Sequence, residues 1–503
     1  MFSAPATYQF TQMCSGPLAT INDWIHNNKL TINHSKSVFT IISNRKVTHI
    51  PSIKLAGHSL KFQPHLKYLG LYFDRNLNWN FHLGHIADKI NKLMNKLSRV
   101  TWGLNPAIKK EIYTRVIEKI VTYGFEVWYA DTARQNIKLC QLQRIGLLNI
   151  IKCYRTVSSD ALHILSGIPP IHLILRHRIK LYHLFYLKQD ILIQDKTFSL
   201  LDVEAKPVIG PPWNRFKITW RVFENDVRGT AIYTDGSKLN GHTGCALVVF
   251  TDGHEDDHLL CKLNPEASVF MAEMKAIKMA VNYIAARGIS DATIISDSRS
   301  ALLALGNPLN NSPLVLRIKD LIQSCSHSIT FMWTRAHVGT AGNEAADVYA
   351  KMSTHKDTID CHFALAKSFL EHLLLNDIMH QWQVTWSSSS KCREVYDLCP
   401  VVSLKRLHGN FYLNQLITGH GALAHYQERF SHKGDVCLCG KAVEDRLHLV
   451  FHCERWQDIR LKCFPANYSQ QSLLQLLLNK TVRTALETIM KQKLEVMFRE
   501  LPS

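Results

Sequence analysis

The stretch TAIYTDGS (230–237) decides how the middle of this chain folds. It reads as a β-strand that runs into an aspartate, Asp235, and then a turn. GCALVVF (244–250) reads as a second strand and HLLCKLN (258–264) as a third, at a spacing that suits antiparallel hairpins. The pattern then changes period. In SVFMAEMKAIKMAVNYIAARG (268–288), Ala272, Ala276, Met279, Ala280 and Ile284 recur every three or four residues, which predicts a helix, and Gly288 supplies its stop. Glu273 lies in the first turns of that helix. DATIISDS (291–298) predicts a buried strand ending in Asp297. A short helix (299–305), a longer one (312–325), a last strand ITFMWTRAHV (329–338) and a final helix opened by GNEAADVYAK (342–351), which carries Asp347, complete the segment.

Four carboxylates thus stand at strand ends or on helices: Asp235, Glu273, Asp297 and Asp347. Each is flanked by apolar residues that draw it toward a core. A single aspartate at a strand end is usually a turn former or helix cap. Four converging in one place would repel strongly unless divalent cations neutralised them. Oxygen-only ligation selects hard ions such as Mg²⁺ or Mn²⁺. Two such ions roughly 4 Å apart are the usual device for in-line phosphodiester hydrolysis. Spacing alone does not show convergence; that needs the fold.

The motifs YTDGS, MAEMKAI, SDS with its short helix, and RAHVGTAGNEAAD follow the order and spacing of ribonuclease H domains, and the segment resembles that family over about 125 residues. The lysine-rich handle helix of some cellular enzymes is missing, as in many retroelement versions. The resemblance implies an α/β fold, a five-stranded mixed sheet with flanking helices. It places the metal ligands on Asp235, Glu273, Asp297 and Asp347, with Asp235 contacting both of two Mg²⁺ ions. Glu273 and Asp297 would hold the ion on the leaving-group side, and Asp347 the ion that activates water. His337, in RAHVG, matches an auxiliary histidine for proton transfer or product release. Glu344 matches a carboxylate near the ions, and Ser298 would contact a ribose 2′-OH, with a strand-end hydrogen bond as its alternative role. The implied activity is cleavage of the RNA strand of RNA–DNA hybrids, leaving 5′-phosphate and 3′-hydroxyl ends.

The flanks extend the picture. The chain has 503 residues, enough for two to four domains, and 46% hydrophobic residues, enough for each to bury a core. Its net charge of +18 is uneven: residues 1–228 hold 31 Lys+Arg against 14 Asp+Glu, so nearly all the excess is N-terminal. A basic region attracts polyanions, nucleic acid most often. Ile86, Ile90, Leu93, Leu97 and Val100 mark an amphipathic helix whose other face carries Lys89, Lys92, Lys96 and Arg99. Such a stripe could follow a phosphate backbone, or be an ordinary solvated face. Thirteen cysteines, an odd number, argue against a disulfide framework. The opening MFSAPATYQF lacks signal-peptide features, and no apolar run approaches the ~18 residues of a membrane span. A soluble, intracellular protein of the nucleus or cytoplasm, without a membrane partner, is expected.

INDWIHNNKLTINHSKS (21–37), KYLGLYFDRNLNWNFHL (67–83) and IYTRVIEKIVTYGFEVWY (112–129) resemble the stretch after the polymerase site in non-LTR, Jockey-like retrotransposons of arthropod type. The organisation so implied is a partial reverse transcriptase, palm end and thumb, over 1–200; a linker over 201–227, marked by Pro207, Gly210, Pro211 and Pro212; the ribonuclease H domain over 228–354; and a helical region over 356–503. The paired aspartates of a polymerase are not found, so polymerase activity is not expected. In CLCGKAVEDRLHLVFHC (437–453), Cys437, Cys439, His448 and Cys453 offer three thiolates and an imidazole, a common structural zinc set, with His452 as a competing imidazole. The region resembles the tail that follows ribonuclease H in this retroelement group, where ITGHGALAHYQERF (417–430) also precedes the cluster. Reduced, buried cysteines are the alternative to Zn²⁺. Element RNA or target DNA would be further partners. The competing functional readings are a catalytically silent nucleic-acid-binding remnant and a resolvase- or integrase-like nuclease.

Overall fold

The computed structural model describes residues 9–44, 47, 49–99, 104–205, 216–223, 227, 229–405, 409–432 and 434–499. The chain forms two compact units, one of residues 183–375 and one of residues 1–182 with 376–503. The strands used below are β1 (Trp220–Val222), β2 (Thr230–Leu239), β3 (His242–Thr251), β4 (His254–Leu263), β5 (Asp291–Ser296) and β6 (Ser328–Trp333). The helices are α1 (Asn80–Arg99), α2 (Ala133–Ile151), α3 (Ser159–Ser166), α4 (Val269–Arg287), α5 (Arg299–Gly306), α6 (Pro313–Ser324), α7 (Ala341–Thr354), α8 (Phe411–Thr418) and α9 (Lys480–Arg499).

In the unit 183–375 these six strands form one mixed sheet in the order β4-β3-β2-β5-β6-β1. β2, β3 and β4 are antiparallel, and β5 and β6 run parallel to β2. This is the ribonuclease H-like sheet with flanking helices expected from the sequence, with one addition. Six strands are present rather than five, because Trp220–Val222, inside the stretch read as a linker, pairs parallel with Phe331–Trp333. The three-residue strand is too short to show a period, and its β-forming Trp220 and Val222 are separated by an arginine. The prolines and glycine that marked the linker, Pro207, Gly210, Pro211 and Pro212, lie outside the described residues.

One face of the sheet packs Ile232, Leu247 and Ile294 against Met274, Ile277 and Val281 of α4 and against Leu302 and Ile318 of α5 and α6. On the other, Ala231, Tyr233 and Ile295 meet Ala346 of α7. The alternation follows from the two-residue period of a strand. Helix α4 starts at Ser268, whose side chain accepts from the Met271 amide, and ends at Gly288 with φ +64°, the stop anticipated from the sequence. Its small Ala272 and Ala276 let it settle closely on Cys245 and Leu263.

The other unit has a large apolar core to which both ends of the chain contribute. Ile86 and Ile90 of α1 and Leu147 and Ile150 of α2 share it with Trp382, Trp386, Leu416 of α8 and Ile489 of α9. Polar links cross the same seam: Ser389 Oγ donates to Asp160 at 2.7 Å, and His177 Nε2 lies 2.8 Å from Asp377. Both His177 and Asp377 are buried. Among the described residues no helix is long and apolar enough to cross a membrane.

Removing half of such a shared core leaves large apolar faces open to water. Residues 1–182 and 376–503, expressed as separate chains in one cell, are expected to co-purify near 1:1, and each alone to be insoluble or unfolded. Two soluble, cooperatively melting fragments that do not associate would contradict this.

Candidate functional site

Three of the four carboxylates meet at one end of the sheet. Thr234 on β2 is in register with Ser296 on β5, so Asp235 and Asp297, the next residues of two parallel neighbours, arrive side by side. Asp235 is still within β2, whereas Asp297 lies just past the end of β5. Glu273 comes from the first turns of α4. Ligand oxygens of Asp235, Glu273 and Asp297 lie within 4.8 Å of one another. Gly236 makes this possible: a Cβ there would stand 2.5 Å from the Glu273 amide nitrogen and 2.8 Å from the Ala272 carbonyl carbon, so any side chain would push α4 off the strand.

Asp235 and Glu273 are buried, Asp297 partly so. Burial first, then the charges of Asp297 and Asp347, push the Asp235 carboxyl up to about 7. Burial, then Asp235 and Asp297, push Glu273 well above the usual carboxylate range. The Gly236 amide opposes both rises and Lys351 opposes the first, without offsetting them. Glu273 Oε2 is buried with no hydrogen-bond partner among the described residues. An all-oxygen donor set with an orphaned buried carboxylate oxygen and crowded negative charge fits a hard divalent cation.

Asp347 stands apart from this triad. It is half-buried on α7, its charge acts on Asp235, and its carboxylate is held by Lys351 at 2.7 Å. His337 is exposed in the turn after β6 with φ +56°, and Glu344 is exposed in the first turn of α7. Ser298 precedes α5; its amide donates to Ser296 Oγ at 3.1 Å and its hydroxyl lies 3.3 Å from that of Ser300. Lys89, Lys92 and Lys96 are exposed on α1, opposite buried Ile86 and Ile90, with Leu93 and Leu97 half-buried between. The Arg99 side chain and Val100 lie outside the described residues.

One contact was missed by reading the sequence. Asn343 Nδ2 donates to Asp297 Oδ2 at 3.2 Å, while Asn343 Oδ1 is buried with no hydrogen-bond partner among the described residues. Asn343, Asp347 and Lys351 are spaced by four on α7, so one helix face carries all three. That spacing was visible in GNEAADVYAK, but only a structure shows which way the face turns.

A second cluster lies in the unit of the chain ends. Ligand atoms of Cys437, Cys439, His448 and Cys453 lie within 4.8 Å of one another. The Cys437 and Cys453 sulfurs are 3.6 Å apart, and Cys439 Sγ is 3.3 Å from His448 Nε2. The Gly440 amide donates to the Cys437 carbonyl in a tight turn that folds the first two thiols together. His448–His452 is a turn of π-helix, and the Cys453 amide donates to the His448 carbonyl, which brings positions five apart onto one side. His452 is exposed and outside the cluster. Burial pushes the Cys437 and Cys453 thiols up, whereas the Lys441 amide draws Cys439 down.

The fold and the triad define a ribonuclease H-like domain, and a family profile described as RNase H matches residues 228–355. Among curated proteins, the chain is 31% identical over 176 residues to a retrovirus-related Pol polyprotein from type-1 retrotransposable element R1 4 of Nasonia vitripennis, covering 31% of this chain and 45% of that protein. It is 28% identical over 184 residues to a putative 115 kDa protein in type-1 retrotransposable element R1DM of Drosophila melanogaster, covering 35% and 18%. Of solved structures, the N-terminal RNase H domain of a Mycobacterium tuberculosis protein matches 25% of this chain and 98% of its own at 20% identity, with a TM-score of 0.22. The chain thus carries an RNase H domain within a region similar to the Pol polyproteins of R1-type, non-LTR retrotransposons. These are distant relatives, and the alignments span less than half the length of each of the two curated proteins.

Raised carboxyl values set a pH dependence. Folding with a raised pKa means the native state keeps protons the unfolded chain has lost. That stability is fully present below the ordinary Asp value of 3.8 and is lost as the pH rises through about 7. In EDTA, Asp235→Asn should melt increasingly above the unsubstituted protein as the pH rises from about 5 to about 8. Added Mg²⁺ should narrow the gap by stabilising only the native triad. A gap unchanged by pH and by Mg²⁺ would contradict the electrostatic account.

Proposed function

We propose that this protein hydrolyses the RNA strand of RNA–DNA hybrids at the Asp235–Glu273–Asp297 site, within a retrotransposon-derived polyprotein region. The observation that carries the proposal is the meeting of three carboxylates, two of them buried, with one oxygen unsatisfied, on a domain matched by the RNase H profile. Divalent cations bound there, two Mg²⁺ or Mn²⁺, would lower the pKa of a bound water and offset charge on the leaving 3′ oxygen. Asp235, Glu273 and Asp297 would hold the cations, Glu273 and Asp297 the one that offsets the leaving-group charge. Asn343 would keep Asp297 turned toward the site. Asp347, drawn toward Lys351 here, would swing to complete the ligand set, and exposed His337 would take up or deliver a proton at the edge of the site. Ser298 would face the 2′-OH that distinguishes RNA from DNA, and Lys89, Lys92, Lys96 and Arg99 would attract the polyanion. No polymerase step is assigned to these residues. The domain limits 228–354 for the nuclease, 1–200 for the thumb-like part and 356–503 for the tail belong to the same proposal.

A labelled RNA–DNA hybrid should be cut only in the presence of Mg²⁺ or Mn²⁺, on the RNA strand, with duplex DNA left intact. Asp297→Asn should lower the rate at least about a hundredfold, since even groups that merely orient metal ligands are worth 10–100-fold, while hybrid binding persists. Binding of hybrid without cutting by the unsubstituted protein would favour the silent, nucleic-acid-binding reading, and cutting of duplex DNA a resolvase-like one.

For the second cluster we propose structural Zn²⁺ held by Cys437, Cys439, His448 and Cys453. Three thiolates and one imidazole close a tetrahedral site with no open position. Metal analysis of the purified chain should give about one zinc per molecule, and Cys453→Ser should lose it together with much of the stability of the core it adjoins. Stoichiometrically zinc-free protein that melts cooperatively would refute this assignment.

A further inference from the structure

A cavity of about 680 Å³ opens in the unit built from the two chain ends, lined by residues of neither cluster above. Arg144 and residues 156–160 line one wall, and residues 390–394 with His420 and Arg429 the rest. We infer that this cavity takes a phosphodiester group of a nucleic-acid strand. The inference stands apart from the nuclease proposal, since none of its residues belongs to the carboxylate site.

The cavity carries a net positive charge. Arg144, Lys391, Arg393 and Arg429 face the cavity against two acids, Asp160 and Glu394. Asp160 is already engaged, accepting from Ser389 Oγ at 2.7 Å. His420 adds no positive charge near neutrality, because burial lowers its pKa. The balance is two positive charges in a concave site, where field lines concentrate.

The cationic groups also sit on a fixed frame. Arg144 donates to Ser159 Oγ at 3.1 Å and to the Val157 carbonyl at 2.7 Å, which ties the entry of α3 to α2. Arg393 Cζ sits over the Tyr396 ring, 3.6 Å from its centroid, and the guanidinium donates to the Ser389 carbonyl at 3.2 Å. Cys392 adopts a left-handed backbone, φ +53°, which turns the chain sharply between Lys391 and Arg393. Such a conformation is unfavourable for a non-glycine residue and persists only where surroundings enforce it.

The donor set suits a phosphate as well. The cavity wall includes the N-terminus of α3, where Ser158 Oγ accepts from the Ala161 amide and the amides of Ser159 and Asp160 fall outside the helix ladder. The positive end of the helix, guanidinium forks and hydroxyls of Thr156, Ser159 and Ser390 are groups that bind phosphate oxygens. The volume lies within the range of roughly 300–1,000 Å³ typical of ligand sites, and Lys391, Arg393 and Arg429 are exposed. A strand passing over the surface could therefore seat one phosphate here without its ends being enclosed.

The test uses the full chain and a fluorescent single-stranded DNA oligonucleotide, with anisotropy measured over a series of salt concentrations. Lys391→Glu with Arg393→Glu should weaken binding about tenfold or more and reduce the slope of log K against log salt by about 1–2. Lys480→Glu with Lys491→Glu makes the same charge change on α9, which does not line the cavity, and should leave binding within about twofold of the starting protein. Should the glutamate pair lower the melting temperature, the milder Lys391→Gln with Arg393→Gln replaces it. Equal weakening by both pairs would overturn the inference, because net charge alone would then account for binding. Inorganic phosphate provides the second arm. If it binds the unsubstituted protein and is lost in the Lys391/Arg393 variant while oligonucleotide affinity stays unchanged, the cavity takes a free anion and the inference fails.

Discussion

The unit from 183 to 375 is organised around an electrostatic cost that its own residues do not remove. Asp235, Glu273 and Asp297 bring ligand oxygens within 4.8 Å of one another, at a place where two of the three are buried. The nearby positive group, Lys351, is spent on Asp347, and the Gly236 amide offsets only part of the repulsion. Burying several like charges without compensation is among the costliest arrangements a fold can hold. It is tolerated where a cation completes the site, and much of the local architecture makes sense as a means of keeping that arrangement in place.

Three features enforce the convergence. Parallel pairing of β2 with β5 sets Asp235 beside Asp297 by register alone. Gly236 lets the backbone of α4 approach the strand to a distance no side chain would permit, which delivers Glu273. Helix α7 seats Gly342 against the Tyr233 ring, where a Cβ would come within 2.2 Å, and so brings Asn343 to Asp297. None of the three depends on the carboxylates. The apolar packing of the sheet, strong enough to hold unfavourable neighbours, is what creates the site.

Much of this was legible in the sequence because each element states its period. The alternation in TAIYTDGS and GCALVVF, the three-and-four spacing of Ala272, Ala276 and Ile284, and the stop at Gly288 are local signals, and the corresponding elements appear within a few residues of where they were read. What escaped was non-local. The edge strand Trp220–Val222 is too short to show a period, and exists because β6 offers it a partner. Asn343 carries no signal until the face of α7 is known. The shared core of the chain ends joins residues some 300 apart, which no window of sequence reveals. The Cys–His cluster lay between these cases: its residue types were plain, but the choice of His448 over His452 rests on a π-helical turn.

The account stands or falls on whether the triad holds a metal ion. The most direct measurement is anomalous diffraction from crystals of the full chain grown with Mn²⁺. The account predicts a strong anomalous peak coordinated by Asp235, Glu273 and Asp297, with Asp347 within reach of it. A well-ordered triad with no peak, or Mn²⁺ bound only elsewhere, would contradict it.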